Sequence, residues 1–586
     1  MKIQLSCIHI KNYRSIEDAE IKLRPLSVLF GTNDSGKTNL LYALKLAFGG
    51  GNITDSDIFV SPGAPFSRDK SVAIDMMFIP TDEKGERTKN FDDSWGLHLG
   101  ENVSIDENNN EFFAYRMEYA YNNERGDYAW ERKLINVWDS NGIVANKGIG
   151  FKTLSVFDYV FLDAYRDIAV DIRDKGSLWN KQIAKIEMSN DIKSEIEIAL
   201  NSIGDRIKSE SPFLQEVEDD LSAITNVRKS KVEISPITRN INELYKGLDI
   251  YVTPESSNSF SISNLGLGTR GKAVFSVLKS IIKKRFESSR TTPYFCLLAL
   301  EEPEAHIYPH SQRQLIHAFR QTEGQQIITT HSPYILSTSN INDLIKVSLQ
   351  GASSKYTAIS DISIEREQLL RVERFVLNTR GEILFSNITI LAEGETEEQA
   401  LQVFFNEYFG KTPFELGVNI IGVGGPNYLP FLQILEKIGT KWFIFSDGES
   451  TTIKDIKKCI QKLRAASTDI DIRHFGNVII LNDSHNYESY LVSNGYYENI
   501  VKAINEFEDN IQDQHRQLFF DHYKDSYTKN HKDASLDEIL IACMGTGKLK
   551  YASIIARTIC NQNSGDKKFP QKIRELMEKV KAALEV

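Results

Sequence analysis

Apolar and polar positions change rhythm several times along this 586-residue chain, and each change marks a different kind of element. Near the start Ile3, Leu5, Ile8 and Ile10 lead to the turn Lys11-Asn12-Tyr13-Arg14, and Ala19, Ile21 and Leu23 then alternate outward to Pro25. Period-two patterning of this kind predicts two strands. The run Val28-Leu29-Phe30 predicts a third, ended by Gly31, and an apolar-periodic helix starts at Lys37. From about residue 70 to 165 the segments SVAIDMMFI, FFAYRMEYAY, YAWERKLINVW and LSVFDYVFLDAY are separated by Asn- and Asp-rich stretches, which predicts antiparallel strands and turns. From about 170 to 250 the spacing switches to three and four residues, as in KQIAKIEMSNDIKSEIEIALNSIGDRI, the signature of charged amphipathic helices. A continuous apolar strand returns at Phe295–Leu300, and QQIITT before His331 predicts another strand. After a linker-like stretch at 340–385, the strands Ile388–Ala392 and Lys441–Ser446 flank IIGVGGPNYLPFL, a strand followed by two glycines and a helix. The succession of buried strands and helices is that of an α/β protein.

A chain this long exceeds what one core supports and predicts roughly two to four domains. With 41% apolar and 25% charged residues the composition is ordinary for a soluble globular protein. The formal charge of −11 gives no global basic character, so a nucleic-acid site would be a local patch or would act through metal-bridged phosphates. Cys7, Cys296, Cys459, Cys543 and Cys560 are scattered without a C-x-x-C pair, which argues against a disulfide framework or a zinc site. No long apolar run suggests a signal or a membrane span, so the expected location is the cytoplasm, with no membrane partner.

Between the third strand and its helix, GTNDSGKT fits the phosphate-loop pattern G-x-x-x-x-G-K-[ST] in full. Gly31 and Gly36 let the backbone wrap a phosphate, with Asn33, Asp34 and Ser35 turning their N–H groups inward. The helix N-terminus faces the phosphates, Lys37 reaches the β/γ oxygens and the Thr38 hydroxyl can hold Mg²⁺. Downstream, the strand Phe295–Leu300 delivers Glu301 and Glu302. The first acid of such a pair serves the Mg²⁺ shell and the second orients the attacking water, which assigns Glu301 to the cofactor and Glu302 to the base. The Ser/Gly-rich stretch with Ser263, Gly266 and Gly268 runs into a helix, where small residues can approach a γ-phosphate held by another subunit; a plain helix cap is the alternative.

A second constellation follows. The strand Ile388–Ala392 ends at Glu393, Gly394 makes the turn and Glu397 lies one helical turn on; the strand Lys441–Ser446 ends at Asp447-Gly448-Glu449. Acids at the ends of neighbouring strands gather at one sheet edge, and hard oxygen ligands in that number suit Mg²⁺ or Mn²⁺. Glu488 stands before a predicted helix, and Lys548, with Lys550 behind it, opens another in GTGKLKYASIIA. Each acid alone would be a solvated loop carboxylate; the ordered set points to a metal site.

These motifs carry a resemblance. IKNYRSIEDAEIKL before the phosphate loop is similar to the opening of RecF/SMC-like ABC ATPases, in which a turn residue such as Arg14 can lie near the nucleotide, although a solvated turn fits as well. The loop at 261–282 resembles a loose ABC signature, the EAHIYP turn the loop that crosses a dimer interface, and His331 in TTHSP the γ-phosphate-sensing histidine. E-G-x-x-E, a glycine-rich turn and D-x-E resemble the Toprim domain, with Glu449 in place of the usual second aspartate. The whole resembles the OLD (overcoming lysogenization defect) family. The expected organisation is an ABC-type ATPase head at 1–165, a helical insertion that is a candidate dimerisation element at 166–255, the rest of the ATPase and a linker at 256–384, and a Toprim domain at 385–586. The resemblance implies an ATP-regulated, metal-dependent DNA endonuclease of anti-phage defence. Glu393, Glu397, Asp447, Glu449 and Glu488 would hold the metal and Lys548 would act at the scissile phosphate. It implies a homodimer or higher oligomer, in some members with a helicase-like protein or a retron reverse transcriptase and its DNA. Alternatives are a DNA-binding clamp or sensor without cleavage, or a Toprim primase or topoisomerase.

Overall fold

The computed structural model describes the chain except residues 1–2, 50, 83–84, 140–141, 164–188, 218–250, 253–259, 262–265, 289–292, 360–369, 371, 375–380, 426, 465–470, 473–474, 483, 510–517 and 585–586. Ser263 and most of the expected helical insertion therefore lie outside the described residues; within the insertion the helix Asn190–Ser209 is described. The chain divides into two compact units, Met1–Ser27 with Thr38–Thr330, and Val28–Lys37 with His331–Val586.

The first unit holds an antiparallel sheet. Strand Ile3–Tyr13 lies between Ile16–Lys22 and Val72–Pro80, followed by Glu111–Asn122, Asp127–Asp139 and Gly142–Gly148. The register sets Ile8 against Ile21 on one side and against Met76 on the other. The first strand runs three residues into the expected turn, because Tyr13 is fully buried; positive φ at Asn12 and Arg14 bends the backbone around it. A parallel layer, Phe157–Leu162, Phe295–Glu301 and Gln325–Thr330, lies in the same unit. Phe78 of the antiparallel sheet meets Phe157 and Phe295 of the parallel layer at 4.8 and 5.2 Å between centroids, and Phe113 meets Phe157 at 5.6 Å. Phe78 packs edge-to-face on both, and Phe113 stacks on Phe157, so aromatic contacts join the two layers in this core.

In the second unit Val28–Phe30 runs parallel to Leu344–Lys346 of a hairpin, Leu344–Gln350 with Ser353–Ala358. The stretch at 340–385 is therefore not a linker throughout: Leu344, Ile345 and Val347 are buried strand residues. A four-stranded parallel sheet follows in the order Val418–Gly422, Ile388–Ala392, Lys441–Ser446, Val478–Ile480. Its core is completed by helices Glu395–Phe409, Tyr487–Ser493, Tyr497–Asp509, Lys548–Gln562 and Gln571–Leu584, with Phe404, Phe405, Tyr551, Ile559 and Leu576 buried. Apart from Lys441 at the start of one of them, both central strands are buried along their whole length, as a sheet covered on both faces requires, so the chemistry gathers at their C-terminal ends. Among the described residues no single helix is long and apolar enough to cross a bilayer.

Candidate functional site

The phosphate loop has the geometry its glycines demand. A Cβ on Gly31 would stand 2.0 Å from the Val347 carbonyl oxygen, so no larger residue fits beneath the hairpin. Gly36 (φ 102°) and Asp34 (φ 60°) adopt left-handed conformations that turn the loop. The hairpin holds that turn from outside: Ser354 Oγ donates to the Ser35 carbonyl at 2.8 Å and the Tyr356 hydroxyl to that of Gly36 at 2.9 Å. Lys37 Nζ folds back onto the carbonyls of Gly31 (3.1 Å) and Thr32 (2.8 Å). A lysine held this way sits over the loop, where a phosphate would meet it.

In the first unit Thr38 Oγ1 donates to the Glu301 carboxylate, which joins two residues expected to share one Mg²⁺. Glu301 ends its strand opposite Thr329, and Glu302 follows with φ 42° and its N–H on the Thr329 carbonyl at 3.0 Å. The strained backbone turns Glu302 out of the strand line. His331 directly follows the strand Gln325–Thr330. Arg14 is neither free nor simply solvated: it is paired with Asp57 at 2.8 Å and lies over the Tyr42 ring. Gly268 lies in the first turn of the helix Leu267–Ser288, and a Cβ there would stand 2.5 Å from the His306 carbonyl oxygen. This close approach seats the signature-like helix on the EAHIYP turn, and Lys272 adds a bond to Ser311 Oγ at 3.0 Å. Gly266 is exposed.

The second unit builds the acidic site. Glu393 caps the central strand and accepts from Ser446 Oγ (2.8 Å), the Asp447 N–H (3.2 Å) and Thr452 Oγ1 (3.4 Å), which ties two strand ends together. Glu397 is buried and accepts from the Gly394 N–H at 2.9 Å, capping its own helix. Gly448 is required by close approach: its Cβ would lie 2.0 Å from the Asn482 carbonyl oxygen. Gly448 also exchanges backbone bonds with His485 and Ser484, so Asp447 is aimed by a rigid double turn. A capping box between Asn486 and Ser489 starts the next helix and fixes Glu488 in its first turn, buried. There Glu488 meets Lys548 Nζ at 3.1 Å.

The electrostatics follow from this crowding. Burial, then the charges of Glu397, Glu393, Glu488 and Glu449, push the Asp447 carboxyl up to about 8. Burial together with Glu488 and Glu393 also raises Glu397. Burial works against the Lys548 charge, but its bond to Glu488 and the nearby Glu397 and Asp447 hold its pKa above the ordinary lysine value. Lys550 does not stand behind it as a second cation: it is bound to buried Glu508, which also accepts from the Tyr551 hydroxyl. Tyr428 and Tyr487, both buried beside these acids, complete the wall, and neither was signalled by a motif. Among the described residues no three Asp, Glu, His or Cys side chains form a ready-made coordination shell. The donor set still fits a divalent cation. Asp447 Oδ1 is buried without a hydrogen-bond partner, and the like charges of buried Glu397 and Glu488, half-buried Glu393 and exposed Glu449 all bear on its carboxyl.

The first group of residues is built for a nucleoside triphosphate and the second for a hard cation, which defines a phosphate-loop ATPase joined to a Toprim-type α/β domain. The chain belongs to the AAA ATPase domain family, matching it over residues 1–141 and 151–336. Residues 384–448 match the TOPRIM domain of overcoming lysogenization defect protein-like proteins, so the two-part organisation is that of the OLD family. The chain is 25% identical over 480 residues to the Old nuclease of Escherichia phage P2, covering 76% of this chain and 77% of that protein. It is 24% identical to the endonuclease GajA of Bacillus cereus (strain VD045), covering 78% and 76%. Among solved structures it is similar to an Smc head domain from Pyrococcus furiosus (15% identity, TM-score 0.36, 64% of this chain and 99% of that one). It is also similar to the C-terminal region of the Xanthomonas campestris pv. campestris OLD protein (19% identity, TM-score 0.28, 35% and 96%).

Proposed function

We propose that this protein is a divalent-metal-dependent DNA endonuclease regulated by ATP, acting in defence against phage. The observation that carries the reading is the cluster around Asp447: buried and half-buried like charges at a parallel-sheet edge with Lys548 paired to Glu488 among them. The relatives named nucleases support it. Glu393, Glu397, Asp447, Glu449 and Glu488 would hold Mg²⁺ or Mn²⁺. Bound there, the cation would activate water and stabilise the leaving oxygen of a phosphodiester. Lys548 offsets charge on the phosphate, and its bond to Glu488 keeps the ammonium aimed while it waits. Tyr428 and Tyr487 exclude water from the rear of the site.

At the other site Lys37 and Thr38 would bind the triphosphate and its Mg²⁺, with Glu301 on the cofactor, Glu302 as base and His331 as sensor. Gly266 and Gly268, with Ser263, would approach the nucleotide of a second copy, so ATP would set the state of a dimer that permits or blocks cutting. The test is cleavage of supercoiled plasmid with Mg²⁺ or Mn²⁺, with and without ATP. Wild type is expected to give nicked or linear DNA, Glu393→Ala none, and Lys37→Ala a product level that no longer responds to ATP. Metal-dependent cutting by Glu393→Ala would refute the assignment.

A further inference from the structure

A cavity of about 560 Å³ opens in the second unit, and none of the clustered acids lines it. Its walls come from the start of the phosphate loop at Gly31, the hairpin residues Lys346 and Lys355, Phe385 ahead of the acid-bearing strand, and the turn carrying Lys437 and Lys441. Four lysines thus line one small space. The acid that lines it, Glu436, is already engaged by the Trp442 indole N–H at 3.1 Å and by Arg464 at 2.9 Å. Lys441 donates to the Ala583 carbonyl, which fixes its ammonium without neutralising it.

Lys346 is the unusual member. Its ammonium donates to Thr440 Oγ1 at 3.0 Å, and among the described residues no carboxylate pairs with it. Burial alone pushes its pKa down to about 8. A desolvated ammonium without a counter-charge is costly, and proteins keep one mainly where something else supplies the charge. The volume falls in the range of small-molecule sites and is far too narrow for a duplex. Phe385, edge-on to Phe30, gives the cavity an apolar wall.

We propose that this cavity binds a small anion of nucleotide size carrying two or more phosphate groups, held by Lys346, Lys355, Lys437 and Lys441, at a site that shares the Gly31-Thr32 start of the phosphate loop but none of its residues 33–38. Lysine suits such a ligand, as a point charge that follows phosphate oxygens without demanding bidentate geometry. Because Gly31 and the turn before the Asp447 strand both line the cavity, an occupant would touch the nucleotide loop and the acid-bearing sheet together.

The experiment is calorimetric titration of inorganic pyrophosphate, and separately of ADP, into the full chain carrying Lys37→Ala, in EDTA. The substitution silences the phosphate loop, and the chelator removes metal-bridged binding at the acids. Saturable binding is expected, weakened at least tenfold by Lys346→Met and by the surface pair Lys355→Gln/Lys437→Gln, whose folding is not in question. No binding, or binding indifferent to both changes, overturns the proposal. So does a 12-nucleotide single strand that binds through these lysines while pyrophosphate does not, since the face would then be a nucleic-acid surface.

Discussion

Replacing Asp447 with Asn keeps the shape of the side chain and removes its charge, and the expected result is a more stable protein that no longer responds to divalent cations. In the folded state the carboxyl is raised from 3.8 to about 8, so between these values the native protein holds a proton that the unfolded chain has released. Stability is then unpenalised below pH 4, falls as pH rises, and levels off above 8. At about 1.4 kcal/mol per unit the penalty reaches about 3 kcal/mol at pH 6 and about 6 kcal/mol at pH 8.5. Any packing cost of the Asn amide is the same at both pH values. The advantage of Asp447→Asn over wild type in EDTA should therefore grow by about 3 kcal/mol from pH 6 to 8.5. Urea unfolding followed by fluorescence, read on the transition that moves with the substitution, measures it. Mg²⁺ or Mn²⁺ should raise the wild-type midpoint and leave that of the variant unchanged. A variant less stable than wild type at both pH values, or an advantage that does not grow with pH, would refute the reasoning about buried like charges.

Further outcomes can be checked independently. Gly448→Ala places a methyl 2.0 Å from the Asn482 carbonyl and should cost about 2–3 kcal/mol or displace the Asp447 turn, abolishing metal-dependent stabilisation in the same unfolding assay. Arg116→Met leaves Asp75 buried with only His9, after bonds of 2.6 and 2.9 Å are lost, and should cost about 3–5 kcal/mol at pH 7. Although burial works the other way, the bonds from Arg116 and His9 hold Asp75 below the usual carboxylate range, so the stability it contributes is full above about pH 4 and disappears on acidification. The gap between wild type and Arg116→Met should accordingly shrink toward acid in a denaturation series. Glu302→Gln should lower ATP turnover at least a hundredfold while ATP binding, followed by equilibrium dialysis, is retained.

Much of the acidic site was legible in the sequence because parallel strands make it so. An apolar run buried on both faces has one polar exit, and Glu393 and Asp447 stand at those exits. Glu488 was legible only through the family resemblance and its place before a predicted helix; the Asn486–Ser489 capping box that fixes it there was not read from the sequence. The groups around them were not. Ser446 reads as the last residue of a strand, and nothing in its spacing says that it bonds Glu393. Lys548 and Lys550 look equivalent on a helix, yet they lie two positions apart and so face different neighbours, Glu488 and Glu508. The stretch at 340–385 read as a linker because its strands are short and half polar, and their partner, Val28–Phe30, lies some three hundred residues earlier. Lys346 illustrates the same limit: one lysine in an alternating strand reads as solvated, and only the fold shows what covers it.

The grip of Ser354 and Tyr356 on the phosphate-loop carbonyls has a consequence for how such chains can be recombined. The residues that shape the loop are encoded on both sides of the sensor-like histidine, with the last of them just short of the hairpin's end at Ala358. A gene exchange that grafted a different C-terminal domain immediately after His331 would remove the braces and leave a nucleotide loop without its fixed curvature. A workable crossover falls beyond Ala358, and domain shuffling in this architecture is confined to that narrow window before the acid-bearing strand begins at Ile388.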